Sequence, residues 1–238
     1  MSTFLSAEWR KLAMANYAID PDILKSFVPY KTELDTWNQT CYVSLVGFMF
    51  LQTKLLGMKI PGHVNFEEVN LRFYVRYKEG NNWKRGVVFI KEIVPKTMIA
   101  WVANNVYGEN YEALPMRHNW QLGADKQVVS YGWKKQRWHE MIIRASSTPQ
   151  NITAGSEAEF ITEHYWGYTQ TGLSKTGEYE VQHPRWQTYE VTDYTISVDF
   201  ELSYGPVFGF LNDKHPQSVL LAEGSAIKVL KGSTIKLS

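Results

Sequence analysis

The stretch EEVNLRFYVRY, residues 67–77, concentrates the groups best suited to chemistry. Glu68, Asn70, Arg72 and Tyr74 alternate with Val69, Leu71, Phe73 and Val75. Alternation with period two is the pattern of a strand with two unlike faces. At about 3.3 Å per residue, Glu68 and Arg72 stand about 13 Å apart and do not pair directly. Each projects into whatever lies on that face. Against solvent, this is an ordinary amphipathic strand. Against a hollow interior, the same groups line a cavity. Arg72 would then bind a carboxylate or another oxyanion, because its planar fork matches that geometry.

A second cluster surrounds a bend in VYGENYEALPM, residues 106–116. Tyr107, Glu109 and Tyr111 could present phenols and a carboxylate to a pocket as acid/base groups. Equally, the tyrosines could pack as core with their hydroxyls at the edge. In HPRW, residues 183–186, His183 and Trp186 flank a proline. They form either a pocket wall or a rigid turn with an aromatic anchor.

Other chemistries lack their signatures. No glycine-rich phosphate loop is present, so no nucleotide cofactor is expected. The histidines at 63, 118, 139, 164, 183 and 215 show no paired ligand spacing, so no metal site is expected. Ser225-Ala226-Ile227-Lys228 and Lys175-Thr176-Gly177 fit two penicillin-recognising motifs, but in reverse order.

The elements that position these groups read as mostly strand. Residues 9–18 predict a strand, and Asp20-Pro21 predicts a capped short helix that ends before Pro29. Strands are expected at 31–36 and 40–51, with an irregular loop at 52–63. After strand 67–77, KEGNN predicts a hairpin into WKRGVVFIKEIV. Ile99, Val102, Ala103 and Val106 fall at helical spacing, predicting a helix over 96–107 that Gly108 ends in a left-handed conformation. Three strands follow at 116–122, 127–133 and 137–147. A short helix is expected over 156–163 and another near 203–211. Strands are expected at HYWGYT, at 178–182 after a GLSKTG turn, at 187–199, and in VLLAEG and AIKVLKG.

The composition suits this reading. The 238 residues are 44% hydrophobic and 14% aromatic, with nine Trp. Aromatics bury large areas and favour strands. The net charge of +1 favours neither nucleic acid nor an anionic membrane. Cys41 is the single cysteine, so no intrachain disulfide can form. It reads as a packed, inert thiol. The first residues lack an apolar segment of signal-peptide length, and no apolar run is long enough to span a bilayer. A cytoplasmic protein with no membrane partner is expected. Residues 1–238 read as one domain, mainly β (α+β), and the strand count suggests a barrel or sandwich.

YAIDPDILKSFVP, CYVSLVGFMF, EEVNLRFYVRY, EIVPK, YGENYEALPM, EHYWGYT and HPRW, in this order, resemble the YqjF-like uncharacterised bacterial proteins. That family, of unknown function, is related in fold to acetoacetate decarboxylase. The resemblance implies an antiparallel cone-like β-barrel with three or four short helices around a small cavity. The decarboxylase uses a Schiff-base lysine activated by an adjacent cation, in a lysine pair after a Gly-x-Pro turn just past the helix. Here the equivalent stretch is Gly108-Glu109-Asn110-Tyr111-Glu112, and no lysine occurs between Lys96 and Lys126. Schiff-base decarboxylation is therefore not expected. Two functions are. One is binding of a small keto or carboxylic acid by Asn70, Arg72, Tyr74, Glu109, His183 and Trp186. The other is non-covalent lyase or isomerase chemistry on a small carbonyl compound, with Glu68 or Glu109 as base, Tyr111 as acid and Arg72 as oxyanion stabiliser. A homo-oligomer is compatible with either.

Overall fold

The computed structural model describes residues 2–102, 104 and 108–236. Fourteen strands form one continuous sheet. They are β1 (Thr3–Ala18), β2 (Thr32–Leu34), β3 (Tyr42–Leu55), β4 (Phe66–Glu79), β5 (Asn82–Val94), β6 (Tyr111–Ala113) and β7 (Met116–Leu122). Next come β8 (Lys126–Lys135), β9 (Arg137–Asn151), β10 (Trp166–Gly172), β11 (Lys175–Gln182), β12 (Gln187–Ser197), β13 (Ser218–Leu230) and β14 (Ser233–Lys236). The short helices are α1 (Pro21–Leu24), α2 (Thr97–Val102), α3 (Glu157–Thr162) and α4 (Phe200–Tyr204).

The strand path closes on itself. It runs β11-β10-β5-β4-β3-β1-β13, and β13 pairs back to β11 through Val181↔Val229 and Gln182↔Lys228. The pairing is antiparallel throughout this ring except between β10 and β5. One edge of β13 is shared. Its later half meets β11, and its earlier half meets β12 at Thr188↔Ala222 and Tyr189↔Leu221. Between the two lies Gly224 at φ 81°, where a Cβ would meet Trp9 O at 2.0 Å, so only glycine fits the bend. The sequence predicts two C-terminal strands broken at this glycine. The structure has one bent strand, because pairing with β1 continues through Arg10↔Gly224.

From β12 the sheet continues through β9, β8 and β7. Val129, Tyr131, Trp133, Met141 and Ile143 of this extension pack with Val43, Leu45, Leu71 and Phe73 of β3 and β4 in one apolar cluster. A second cluster holds the other face of those strands, including Tyr42, Val46, Phe48 and Tyr74. The two faces of β4 therefore meet two different cores. Gly47 permits the first packing, since a Cβ there would lie 2.8 Å from Tyr131 Cδ2. Tyr131 then donates its hydroxyl to Lys11 O at 2.8 Å, where β1 bulges between Arg10 and Ala13.

The helix ends follow the sequence. Asp20 accepts from Asp22 N at 2.9 Å, and Ser156 Oγ accepts from Glu159 N at 3.2 Å. Gly108 has φ 68°. Of the helix predicted over 96–107, Thr97–Val102 is helical, while Ala103, Val106 and Tyr107 lie outside the described residues. Several boundaries differ, and β1 begins at Thr3 where residue 9 was expected. β3 continues to Leu55 through residues expected to be loop, and β11 starts at Lys175 inside the expected turn. In both cases ladder pairing extends the strand, through Leu5↔Leu55 and Thr176↔Ile235. Strand β6 was not expected. It pairs parallel to β5 through Glu92↔Tyr111 and so fixes the bend against the sheet.

Candidate functional site

The polar face of β4 turns inward. Glu68, Asn70 and Arg72 line a cavity of about 210 Å³. They are 2%, 1% and 8% exposed, so the face is not a solvated one. Tyr74 is buried one step further on and is not among the lining residues. Its hydroxyl shares a hydrogen bond with Ser44 Oγ at 2.8 Å, and its ring lies 4.7 Å from His164.

One end of the cavity is a carboxyl cluster. Glu68 comes from β4, Glu92 from β5 and Glu109 from the bend after α2, and all line the cavity. Asn70 Nδ2 donates to Glu68 Oε1 at 3.0 Å, and the Tyr111 hydroxyl donates to Glu68 Oε2 at 3.2 Å. The bend is pinned by Asn104, whose side chain accepts from Tyr111 N at 2.7 Å and donates to Tyr111 O at 3.0 Å. Asn110 Nδ2 donates to Ile90 O at 2.7 Å. These bonds present Tyr111 to the cavity.

Burial shapes the protonation of this end. Loss of water raises Glu68 to about 7, against the opposing hydrogen bonds from Asn70 and Tyr111. Burial raises Glu109 to about 7 and Glu92 well above the usual carboxylate range. For Glu92, repulsion from Glu109 and Glu68 adds to burial. Burial and the neighbouring carboxyls keep Tyr111 and Tyr179 firmly protonated. The cluster is thus a set of acids holding protons near neutral pH, faced by two phenols.

Arg72 is the contrasting feature. It is the only Lys or Arg among the described lining residues. No hydrogen bond or ion pair joins it to a described residue, and its Nε is buried without a partner. Its guanidinium carbon lies 5.8 Å from the Tyr74 ring centre. Nearby, His164 also lines the cavity. Its Nε2 lies 3.1 Å from Asp35 Oδ2, which also accepts from Arg85 Nε at 2.6 Å. That arrangement puts the proton on Nε2 and leaves Nδ1 unpartnered among the described residues. Burial, opposed by the bond to Asp35, lowers His164 to about 4, so the ring stays neutral.

HPRW serves both roles considered for it. His183 and Trp186 line the cavity. Their rings stack at 4.2 Å, and Trp186 Nε1 donates to Ser225 Oγ at 2.9 Å, beside Gly224. The segment carries the chain from β11 to β12 and anchors that crossing while walling the cavity.

The structure therefore brings Glu68, Asn70, Arg72, Glu109, Tyr111, His183 and Trp186 around one space. It adds Glu92, Tyr179 and His164, which the sequence reading did not single out. Glu92 was hidden by a bulge. Arg72 pairs with Phe89 and Asn70 with Glu92, so one extra residue on β5 changes the phase. Counting by twos from Phe89 would turn Lys91 inward instead. A carboxylate within the apolar run FIKEIV was the available signal. Among the described residues, no lysine lines the cavity. Among the described residues, no set of three His, Cys, Asp or Glu side chains is grouped to hold a metal ion, and no helix is long and apolar enough to cross a membrane.

The fold, a mostly antiparallel sheet, is similar to that of acetoacetate decarboxylase-like proteins. Acetoacetate decarboxylase from Legionella pneumophila superposes with a TM-score of 0.66 at 13% identity, over 99% of this chain and 90% of that one. The enduracididine biosynthesis enzyme MppR, solved in complex with pyruvate, superposes with a TM-score of 0.66 at 12% identity, over 98% and 91%. At such identities the likeness is one of fold. The family is closer in sequence: residues 6–226 match DUF2071, described as "Uncharacterized conserved protein", and the chain belongs to that family. The uncharacterized protein YqjF of Bacillus subtilis (strain 168) is 27% identical over 184 residues, which is 75% of this chain and 72% of the relative.

Proposed function

We propose that the closed ring of strands is a cone-like barrel, with residues 1–238 as a single domain. Its cavity binds a small keto or carboxylic acid without a Schiff-base lysine. Arg72 carries this reading. Glu68 lies near enough to feel its charge but makes no ion pair with it, and a guanidinium buried at Nε in this way is costly unless an anion compensates it. A ligand carboxylate supplies that anion in the matching planar geometry. The aromatic wall, with Phe48, Phe89 and Trp186, covers the ligand body. The pyruvate complex of MppR is a precedent for a small keto acid in this fold. Where the decarboxylase family has Pro-Lys, this chain has Asn110-Tyr111, so the site binds without covalent attachment.

The test is a thermal-shift screen of small carboxylic and keto acids against the full chain. A ligand at 100 times its dissociation constant stabilises by about 2.7 kcal/mol. For a domain of this size that is a shift of about 5–10 °C. A shift in wild type that Arg72→Ala abolishes supports the reading. No shift across a broad panel overturns it.

The contact between Tyr111 and Glu68 favours a second reading, non-covalent acid/base catalysis. A carboxylate raised to about 7 suits a general base near neutral pH. Glu68 would take a proton from the carbon next to a carbonyl. The electron pair of that C–H bond would move into an enolate, stabilised by the Tyr111 hydroxyl and Arg72. Deuterium exchange at that carbon, followed by NMR, tests the step. Exchange that Glu68→Gln slows by about a hundredfold supports it; exchange no faster than in buffer removes it.

A further inference from the structure

Among the described lining residues, Trp9 Nε1, Thr53 Oγ1 and His164 Nδ1 are buried without a partner. Around the carboxyl cluster the unpartnered atoms are oxygens: Asn70 Oδ1, Glu92 Oε2 and Glu109 Oε1. Asn70 is 1% exposed, and its amide is already committed through Nδ2 to Glu68. Asn70 faces Glu92 directly across the β4–β5 ladder. The remaining unpartnered atom on this strand face is a donor, Arg72 Nε, two residues along β4. Buried acceptors are satisfied by donors, and a buried guanidinium by an anion. The two needs arise at different points on β4, with Asn70 and Arg72 about 7 Å apart at Cα by strand spacing. Apolar residues, including Phe48, Phe50 and Phe66, form much of the remaining wall.

A simple monocarboxylate meets only one of these needs. It satisfies Arg72 and leaves the acceptors facing an apolar tail. A carboxylate and a donor-rich cationic nitrogen separated by a short alkyl chain satisfy both ends at once.

We infer that the ligand is a small ω-amino or ω-guanidino acid, its carboxylate on Arg72 and its cationic nitrogen among Asn70 Oδ1, Glu92 Oε2 and Glu109 Oε1. This inference rests on the small-acid reading of the cavity and specifies its substrate class. It also carries a proton balance. Without a cation, the clustered carboxyls hold protons. When the ligand cation enters, one of those protons leaves to the buffer and the carboxylate formed pairs with the nitrogen.

The experiment is calorimetric titration of the full chain at pH 7 with pentanoate, 5-aminopentanoate and 4-guanidinobutanoate. Each titration is run in phosphate and in Tris, whose different ionisation heats count protons released. The nitrogen-bearing acids are expected to bind at least about tenfold more tightly than pentanoate, with about one proton released. Glu92→Gln is expected to bring the affinity ratio toward one, and Glu109→Gln reads the same ratio if the first variant does not fold. Pentanoate binding as tightly as the others overturns the inference and leaves the small-acid reading standing. A ratio unmoved by either variant does the same. Failure of all three acids to bind overturns both.

Discussion

The Tyr111 hydroxyl donates to Glu68 Oε2 at 3.2 Å, joining the bend after α2 to the inward face of β4. Tyr111 thereby favours the ionised form of a carboxyl that burial has already raised to about 7. Tyr111→Phe removes that donor and is expected to move Glu68 higher still. Carbon-13 NMR titration of the labelled Glu68 carboxyl measures this. A midpoint that stays or falls would show that the bond does not tune the acid.

The same raised acid links stability to pH. In the unfolded chain Glu68 ionises near 4.5, while in the folded protein it holds its proton to about 7. Its stabilising contribution is full below about 4.5 and is lost as pH rises through about 7. Glu68→Gln removes this loss. The variant's melting temperature relative to wild type is expected to rise between pH 5 and pH 7 and then level off, by the equivalent of about 2 kcal/mol. His164, lowered to about 4, acts in the opposite sense, losing stability as pH falls from 6.5 towards 4. It is present in both proteins, so its contribution cancels in the difference. A difference independent of pH would contradict the burial of the carboxyl.

Asp35 is 5% exposed and serves Arg85 and His164 together. Asp35→Asn leaves the Arg85 charge uncompensated and removes the acceptor that orients His164. A loss of about 1–3 kcal/mol in denaturant unfolding is expected, the cost of leaving a part-buried charge without its partner. A loss under about 1 kcal/mol would place the pair among weak surface bridges.

Gly47 lets the outer layer approach β3, where an added Cβ would lie 2.8 Å from Tyr131 Cδ2 and 3.1 Å from its Cβ. Gly47→Ala must displace a buried ring tied by its hydroxyl to Lys11 O. A destabilisation of about 1–3 kcal/mol is expected from overpacking. Urea unfolding without a loss of stability would mean that the ring shifts freely.

Much of the arrangement was legible in the sequence where local chemistry and period agree. The alternation of residues 67–77 places Glu68, Asn70 and Arg72 on one face, Asp20 and Ser156 mark helix starts through local capping, and Gly108 takes the left-handed conformation expected of it. Alternation alone does not say whether a polar face meets water or a cavity. That is decided by ring closure between β11 and β13, a contact between residues far apart in the chain. Glu92 escaped for a related reason: a bulge has no fixed sequence signature, yet it shifts the phase of every residue beyond it. His164 escaped because its partner, Asp35, lies 129 residues away.

The central claim is that Arg72 holds a ligand carboxylate inside the ring, and calorimetric titration of pyruvate into wild type, Arg72→Lys and Arg72→Ala tests it most directly. Measurable binding is predicted for wild type, weakened about tenfold by lysine, which keeps the charge but loses the fork, and about a hundredfold by alanine. Pyruvate binding equally well to wild type and Arg72→Ala would contradict the account.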